Sequence, residues 1–289
     1  MVLHATQLRP RTLALWACVA AFVATGAVGC SGTERTRLPV DGPQTAAAVL
    51  ARARAVPLAR SVQGMARMDA WVDGEARKGN VLIVIERPDR AHFQALTPTI
   101  DMIAVLATDG QRFISFERGA DRCLVGRACA ANMARLVPLE LPPGELVDAI
   151  LGRLPVITGS QTLSWDTQRD AYLIEIRAAD GRTVEQVWIQ ARTFRFLGTV
   201  LHVGGKRVAS LAYDEVTAWG AGGPPRTLRV QVEARKLDLS LRLREIEIDA
   251  PADAEVFAPT CPSGMLQVEL PCAPTPSVPL AAEPAAISG

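Results

Sequence analysis

The sequence predicts an α+β protein built on one large antiparallel β-sheet. Three observations lead there. From Ser61 to Phe257 the apolar residues recur mainly with the two-residue period of strands. Turn dipeptides (Asp73-Gly74, Asp109-Gly110, Asp180-Gly181, Gly204-Gly205) separate those runs at hairpin spacing. Helical spacing is confined to one segment near the start and one near the middle. Consecutive hairpins mean antiparallel pairing. A sheet of about eleven strands curls, and its concave face needs cover, for which the two helices are the available material.

Gln44–Ala55 is alanine-rich, places Val49, Leu50 and Ala53 at helical spacing, and stops near Pro57. Val62–Val72 alternates imperfectly. Val81–Ile85 is continuously aliphatic, which predicts a strand covered on both faces. In Asp89–Leu96, Ala91, Phe93 and Ala95 share one face, with His92 and Gln94 on the other. Met102–Ala107 and Arg112–Phe116 form a hairpin. Arg122–Cys129 reads as a loop carrying two cysteines, and Asn132–Pro138 fits neither template. Pro142–Leu151 is a helix, opened by Pro143 and closed by Gly152, with Leu146, Val147, Ile150 and Leu151 on one face.

Strands resume at Gln161–Trp165, followed by hairpins Tyr172–Arg177 with Val184–Gln190 and Phe194–Val203 with Arg207–Tyr213. The cleanest alternation runs through Leu228, Val230, Val232 and then Leu237, Leu239, Leu241, Leu243. The apolar phase then shifts by one residue to Ile246 and Ile248, which predicts a β-bulge near Arg244-Glu245. Beyond Phe257 prolines recur at 259, 262, 271, 274, 276, 279 and 284, and the expectation is an irregular, largely disordered tail.

The N-terminus has its own chemistry. Arg9 and Arg11 precede an apolar or small-residue run from Leu13 to Val28, and Ala27-Val28-Gly29 leads into Cys30. The run is shorter than the ~20 residues needed to span a bilayer. It reads as a secretory signal, and the cysteine after the small residues resembles a bacterial lipobox. Cys30 would then be acylated, become the first residue of the mature protein and supply a membrane-lipid anchor. Ser31 in place of Asp directs such proteins to the outer membrane by the enteric rule. The organisation that follows is a signal peptide at 1–29, a lipidated tether at 30–43, a folded domain at 44–258 and a proline-rich tail at 259–289.

The full chain carries a net charge of +1. Without Arg9 and Arg11 it is near −1, and no basic run offers a nucleic-acid surface. Cys123, Cys129, Cys261 and Cys272 are the four remaining cysteines, an even number that suggests disulfides in an exported chain. Proximity favours Cys123–Cys129 and Cys261–Cys272 among three connectivities, and a four-cysteine zinc site is the alternative. Only His92 and His202 remain in the mature chain, without metal-ligand spacing, and no nucleophile elbow, P-loop or dinucleotide fingerprint occurs. The residues therefore point to a non-enzymatic protein needing no cofactor or metal. Met65, Met68, Ile83, Ile85, Phe93 and Leu96 supply aliphatic and flexible sulfur surface suited to a variable acyl chain.

Arg87-Pro88-Asp89-Arg90, Leu96-Thr97-Pro98-Thr99-Ile100-Asp101-Met102, Thr108-Asp109-Gly110-Gln111-Arg112-Phe113, Pro143-Gly144-Glu145-Leu146-Val147 and Tyr213-Asp214 occur in an order and spacing that resemble the LolA/LolB superfamily, most closely bacterial lipoproteins related to LolB. The resemblance covers roughly residues 44–257. It implies an incomplete β-barrel with helices as a lid over an apolar cavity, and a carrier or receptor that takes acyl chains or lipoprotein cargo at the periplasmic face of the outer membrane. It also implies a protruding apolar loop, a part for Ile100, Met102 and Ile103, and a periplasmic carrier or envelope protein as partner. An envelope assembly protein of the same fold with a filled core is the alternative. The cysteines and the proline-rich tail depart from the family pattern.

Overall fold

The computed structural model describes residues 38–135 and 140–272. The signal segment with Cys30, the tether through residue 37, residues 136–139 and the tail from residue 273 lie outside the described residues.

Helix α1 (Ala46–Ala55) starts where the Thr45 hydroxyl accepts the Ala48 N–H, satisfying a donor left open at a helix start. Strands β1 (Ser61–Val72), β2 (Glu75–Glu86), β3 (Arg90–Leu96), β4 (Met102–Thr108), β5 (Arg112–Glu117) and β6 (Arg122–Arg127) follow as a meander. A short helix α2 (Ala130–Met133) and helix α3 (Pro143–Leu151) come next. A second meander runs through β7 (Ser160–Asp166), β8 (Ala171–Arg177), β9 (Thr183–Gln190), β10 (Phe196–Val203), β11 (Lys206–Asp214), β12 (Thr227–Val232) and β13 (Leu237–Ile248). The last strand is β14 (Leu266–Leu270). Helix α3 has the predicted ends: Pro143 lies in its first turn and Gly152 takes the left-handed conformation (φ 101°) that closes it.

All fourteen strands form one open, curled sheet in the order β14-β6-β5-β4-β3-β2-β1-β13-β12-β11-β10-β9-β8-β7. The two meanders join where β1 pairs antiparallel with β13. Every neighbouring pair is antiparallel except β14 with β6, which is parallel. The predicted bulge is present: Met65 opposes Glu245 and Ala66 opposes Leu243, leaving Arg244 as the extra residue. Gly64 lies beside it, where a Cβ would come within 2.0 Å of the Glu245 carbonyl oxygen.

Three expectations are corrected. Among the described residues the strand count is fourteen rather than about eleven, and two of the strands that the sequence pattern leaves out are β6, inside the cysteine loop at 122–129, and β14, in the proline-rich segment. The cysteines pair the other way, Cys123 with Cys261 and Cys129 with Cys272, across 138 and 143 residues. This also removes the four-cysteine zinc alternative. The folded unit therefore extends past residue 258, since 259–272 is bonded and paired to the sheet.

The sheet carries two apolar clusters. The larger occupies what we call the inner face and is contiguous across both meanders, from Ile83, Phe93 and Leu106 to Ile174, Val187 and Leu239. Val49, Leu50 and Ala53 of α1 and Leu146, Val147 and Ile150 of α3 belong to it. The smaller lies on the opposite, outer face of β4–β6: Val105, Ala107, Ile114, Phe116, Cys123 and Val125. The segment from Phe257 to Cys272, a C-terminal strap, lies over that face, with Cys261 and Met265 packed on it. Period-two registers separate the faces, since cross-strand partners point the same way: Ile83, Phe93 and Leu106 align on the inner face, and Val84, His92, Ala107, Ile114 and Val125 on the outer. The continuous run Val81–Ile85 follows from this, because both Ile83 (0 % exposed) and Val84 (8 %) are covered.

Candidate functional site

The apolar candidates do not form one surface. Met68, Ile83, Ile85 and Phe93 lie in the inner cluster, the last three without exposed area. Leu96 is buried outside that cluster. Met65 opposes Leu82 and both are half-buried on the outer side, out of phase with Val62, Ala66, Met68 and Ala70. It is removed from the inner-face set.

Side chains of both helices pack in this cluster, and polar contacts tie α3 to β11 and to the end of α1. The Tyr213 hydroxyl donates to the Ala149 carbonyl at 2.6 Å, and burial raises its pKa well above the ordinary phenol value. Arg87 Nε donates to Asp148 at 3.1 Å, and Arg153 Nη2 donates to the Arg54 carbonyl at 3.1 Å, linking the end of α3 to the end of α1.

The β3–β4 turn has a different character. The Thr97 N–H bonds the Asp101 carbonyl, the Asp101 N–H bonds Thr97 Oγ1, and the Thr99 hydroxyl donates to Asp101 Oδ2 at 2.8 Å. This frame holds Ile100 in the left-handed region (φ 69°) with 71 % of its surface exposed. A β-branched residue is a genuine outlier there. Ile103 is 45 % exposed and Met102 half-buried. By register, Trp71 at the end of β1 and Leu266 at the start of β14 lie at this same end of the sheet, and they are 49 % and 65 % exposed. Four of the five exposed large apolar side chains among the described residues thus share one rim; the fifth is Val40.

Sequence reasoning missed the buried polar groups. Glu185 on β9 has no exposed area; its carboxylate accepts the Thr199 hydroxyl at 2.6 Å and the Ile157 N–H at 2.8 Å. Burial pushes its pKa up to about 7 against the pull of those two hydrogen bonds. Its role is to hold the segment between α3 and β7. Its signal was legible, because Glu185 is in phase with Val187 and Ile189 on the covered face of its strand. Arg195, also buried, donates to the carbonyls of Gly220, Ala221 and Gly223 and organises the β11–β12 connection. Both groups are engaged within the fold. Cys30 lies outside the described residues. Among the described residues no three His, Cys, Asp or Glu side chains cluster as metal ligands, and no helix is long and apolar enough to cross a membrane.

No protein-family model matches this chain, and no curated protein matches it. Among solved structures it is similar to a DUF1329 family protein from Desulfovibrio piger, with 11 % identity and a TM-score of 0.50 over 72 % of this chain and 94 % of that one. It is also similar to a LolA superfamily protein from Nitrosomonas europaea, with 13 % identity and a TM-score of 0.47 over 74 % and 98 % of the two chains. A domain from Vibrio parahaemolyticus whose proposed role is outer membrane lipoprotein sorting gives 11 % identity and a TM-score of 0.47 over 72 % and 94 %. The likeness to the Desulfovibrio piger structure is one of fold alone. The superfamily that the sequence resembles is represented among the solved structures to which this chain is similar.

Proposed function

We propose that this chain is a non-enzymatic, lipid-anchored protein of the bacterial outer membrane that binds acyl chains of a lipid or lipoprotein beneath its helices and exchanges them at the Ile100 rim. The observation that carries this reading is the β3–β4 turn. A three-residue polar frame maintains an exposed isoleucine in a backbone conformation that disfavours it, an arrangement that contributes nothing to burial. Strain of this kind marks functional positions, and an exposed apolar tip suits contact with an apolar phase. The acyl site is the inner face, with α1 and α3 as its cover. Opening it means parting Tyr213 from Ala149 and Arg153 from Arg54. Transfer then follows from different affinities of two states, with no bond made or broken.

A second reading, an envelope assembly protein with a filled core, is favoured by the complete burial of Ile83, Ile85 and Phe93. Native mass spectrometry of the full chain purified from membranes, with extraction of bound lipid, separates the two. A stoichiometric, displaceable acyl ligand supports the carrier; a bare mass with no uptake of fluorescent fatty acid supports the filled core. Ile100→Gly provides a second test. It relieves a left-handed cost of roughly 1–2 kcal/mol, so the carrier reading expects a more stable protein that transfers acyl cargo to vesicles more slowly. Unchanged transfer removes Ile100 from the mechanism. Cys30→Ala is expected to leave a folded protein in the soluble periplasmic fraction, and unchanged membrane partition overturns the anchor.

A further inference from the structure

A cavity of about 270 Å³ lies on the outer side of the sheet, the face turned away from the helices. Its floor is Ala107, Ile114 and Val125, cross-strand neighbours on β4, β5 and β6. Its roof is the start of the strap, Phe257 to Cys261. The roof is held on both sides: the His92 Nδ1–H donates to the Val256 carbonyl at 2.9 Å, and Cys261 is bonded to Cys123 of β6. Asp109, Arg112 and Gln267 stand around the mouth.

The charged groups at the mouth already have partners. Asp109 Oδ1 accepts the N–H groups of Gln111 and Arg112, and the Arg112 guanidinium donates to Glu269 at 3.1 Å. The floor carries no polar side chain, and Thr260 of the roof supplies the one hydroxyl in the lining, so water at the floor finds few hydrogen-bond partners. The volume is just under the ~300–1,000 Å³ of small-molecule sites, enough for a short chain or one ring. We propose that this cavity is a binding site for the apolar end of a small, uncharged amphiphile, its polar head left at the mouth beside Asp109, Arg112 and Gln267. The site is separate from the inner face and does not depend on the carrier reading.

The test is a titration of the full chain, labelled with ¹³C at isoleucine and alanine methyls, with n-octanol. Saturable shifts are expected at Ile114 and Ala258, with Ile83 and Ile85 unmoved. Gln267→Trp, at an exposed strand position, plugs the mouth without disturbing the floor, and Ala107→Met fills the floor. Each is expected to weaken binding about tenfold or more. Saturable shifts confined to Ile83 and Ile85 overturn the proposal while supporting an inner-face site. Shifts that never saturate, or an affinity unchanged in Gln267→Trp, also overturn it.

Discussion

The two faces of β3–β6 bury similar side chains by different means. On the inner face Phe93 and Leu106 join a cluster that crosses the whole sheet and takes in both helices. On the outer face Ala107, Ile114 and Val125 form a local patch, closed by a strap that arrives more than 130 residues later and is bonded in place by Cys123–Cys261 and Cys129–Cys272. A contiguous core of this breadth holds its helices by packing and a few hydrogen bonds. A small patch at a sheet edge gains much less from burial, and here the cover is covalent. The strap also pairs β14 with β6, so the edge that β6 would present is occupied.

The comparison breaks most visibly at the disulfides. Each closes a loop of nearly the same length, so one bond already removes most of the denatured-state entropy. Serine at all four cysteines should cost about 8 kcal/mol by loop-closure estimates, whereas serine at Cys129 and Cys272 alone, which reopens only a loop of roughly 17 residues, should cost about 3 kcal/mol. Denaturant unfolding, with proteolysis of the strap between Ala258 and Cys272, measures both. Equal losses in the two variants contradict the account.

Core truncation sharpens it. Phe93→Ala should cost about 4 kcal/mol, within the range for a fully buried phenylalanine. Phe116→Ala, in the outer patch, should cost clearly less and make the strap easier to cleave. Equal costs with an unaltered strap show that the outer patch is as much core as the inner one.

Glu185 gives the inner side a pH dependence of its own. Its folded pKa of about 7 lies above the ordinary 4.5, so the folded state holds the proton more tightly. Stability from this group is therefore full below about pH 4.5 and is lost as pH rises to about 7. The loss is on the order of 3 kcal/mol. Glu185→Gln should flatten that part of the stability profile; a profile parallel to wild type across the window excludes the group as its source. The smallest effect belongs to the cap of α1. Thr45→Ala should cost about 1 kcal/mol, and hydrogen exchange should quicken in α1 while β14 is unaffected.

Legibility followed the range of the interactions. The ends of α3, the bulge at Arg244 and the hairpins around Asp109-Gly110 and Gly204-Gly205 are written in neighbouring residues, and they appear where the sequence places them. Met65 has the chemistry of an acyl contact, but the phase of Val62, Ala66 and Met68 assigns it to the other side. Strand β6 hid in a loop because Arg122-Cys123-Leu124-Val125-Gly126-Arg127 has no clean alternation, both of its faces and both of its edges being used. The rim was half legible: Ile100 was singled out, but its conformation and its company with Trp71 and Leu266 depend on register.

By itself the sequence determined the antiparallel class, the helix limits and the bulge, because propensity, caps and periodicity act over a few residues. Only the tertiary structure decided that the strap belongs to the sheet, which cysteines meet and where a cavity lies. Those outcomes depend on bringing residues 123 and 261 together, and no local pattern encodes a contact across 138 residues.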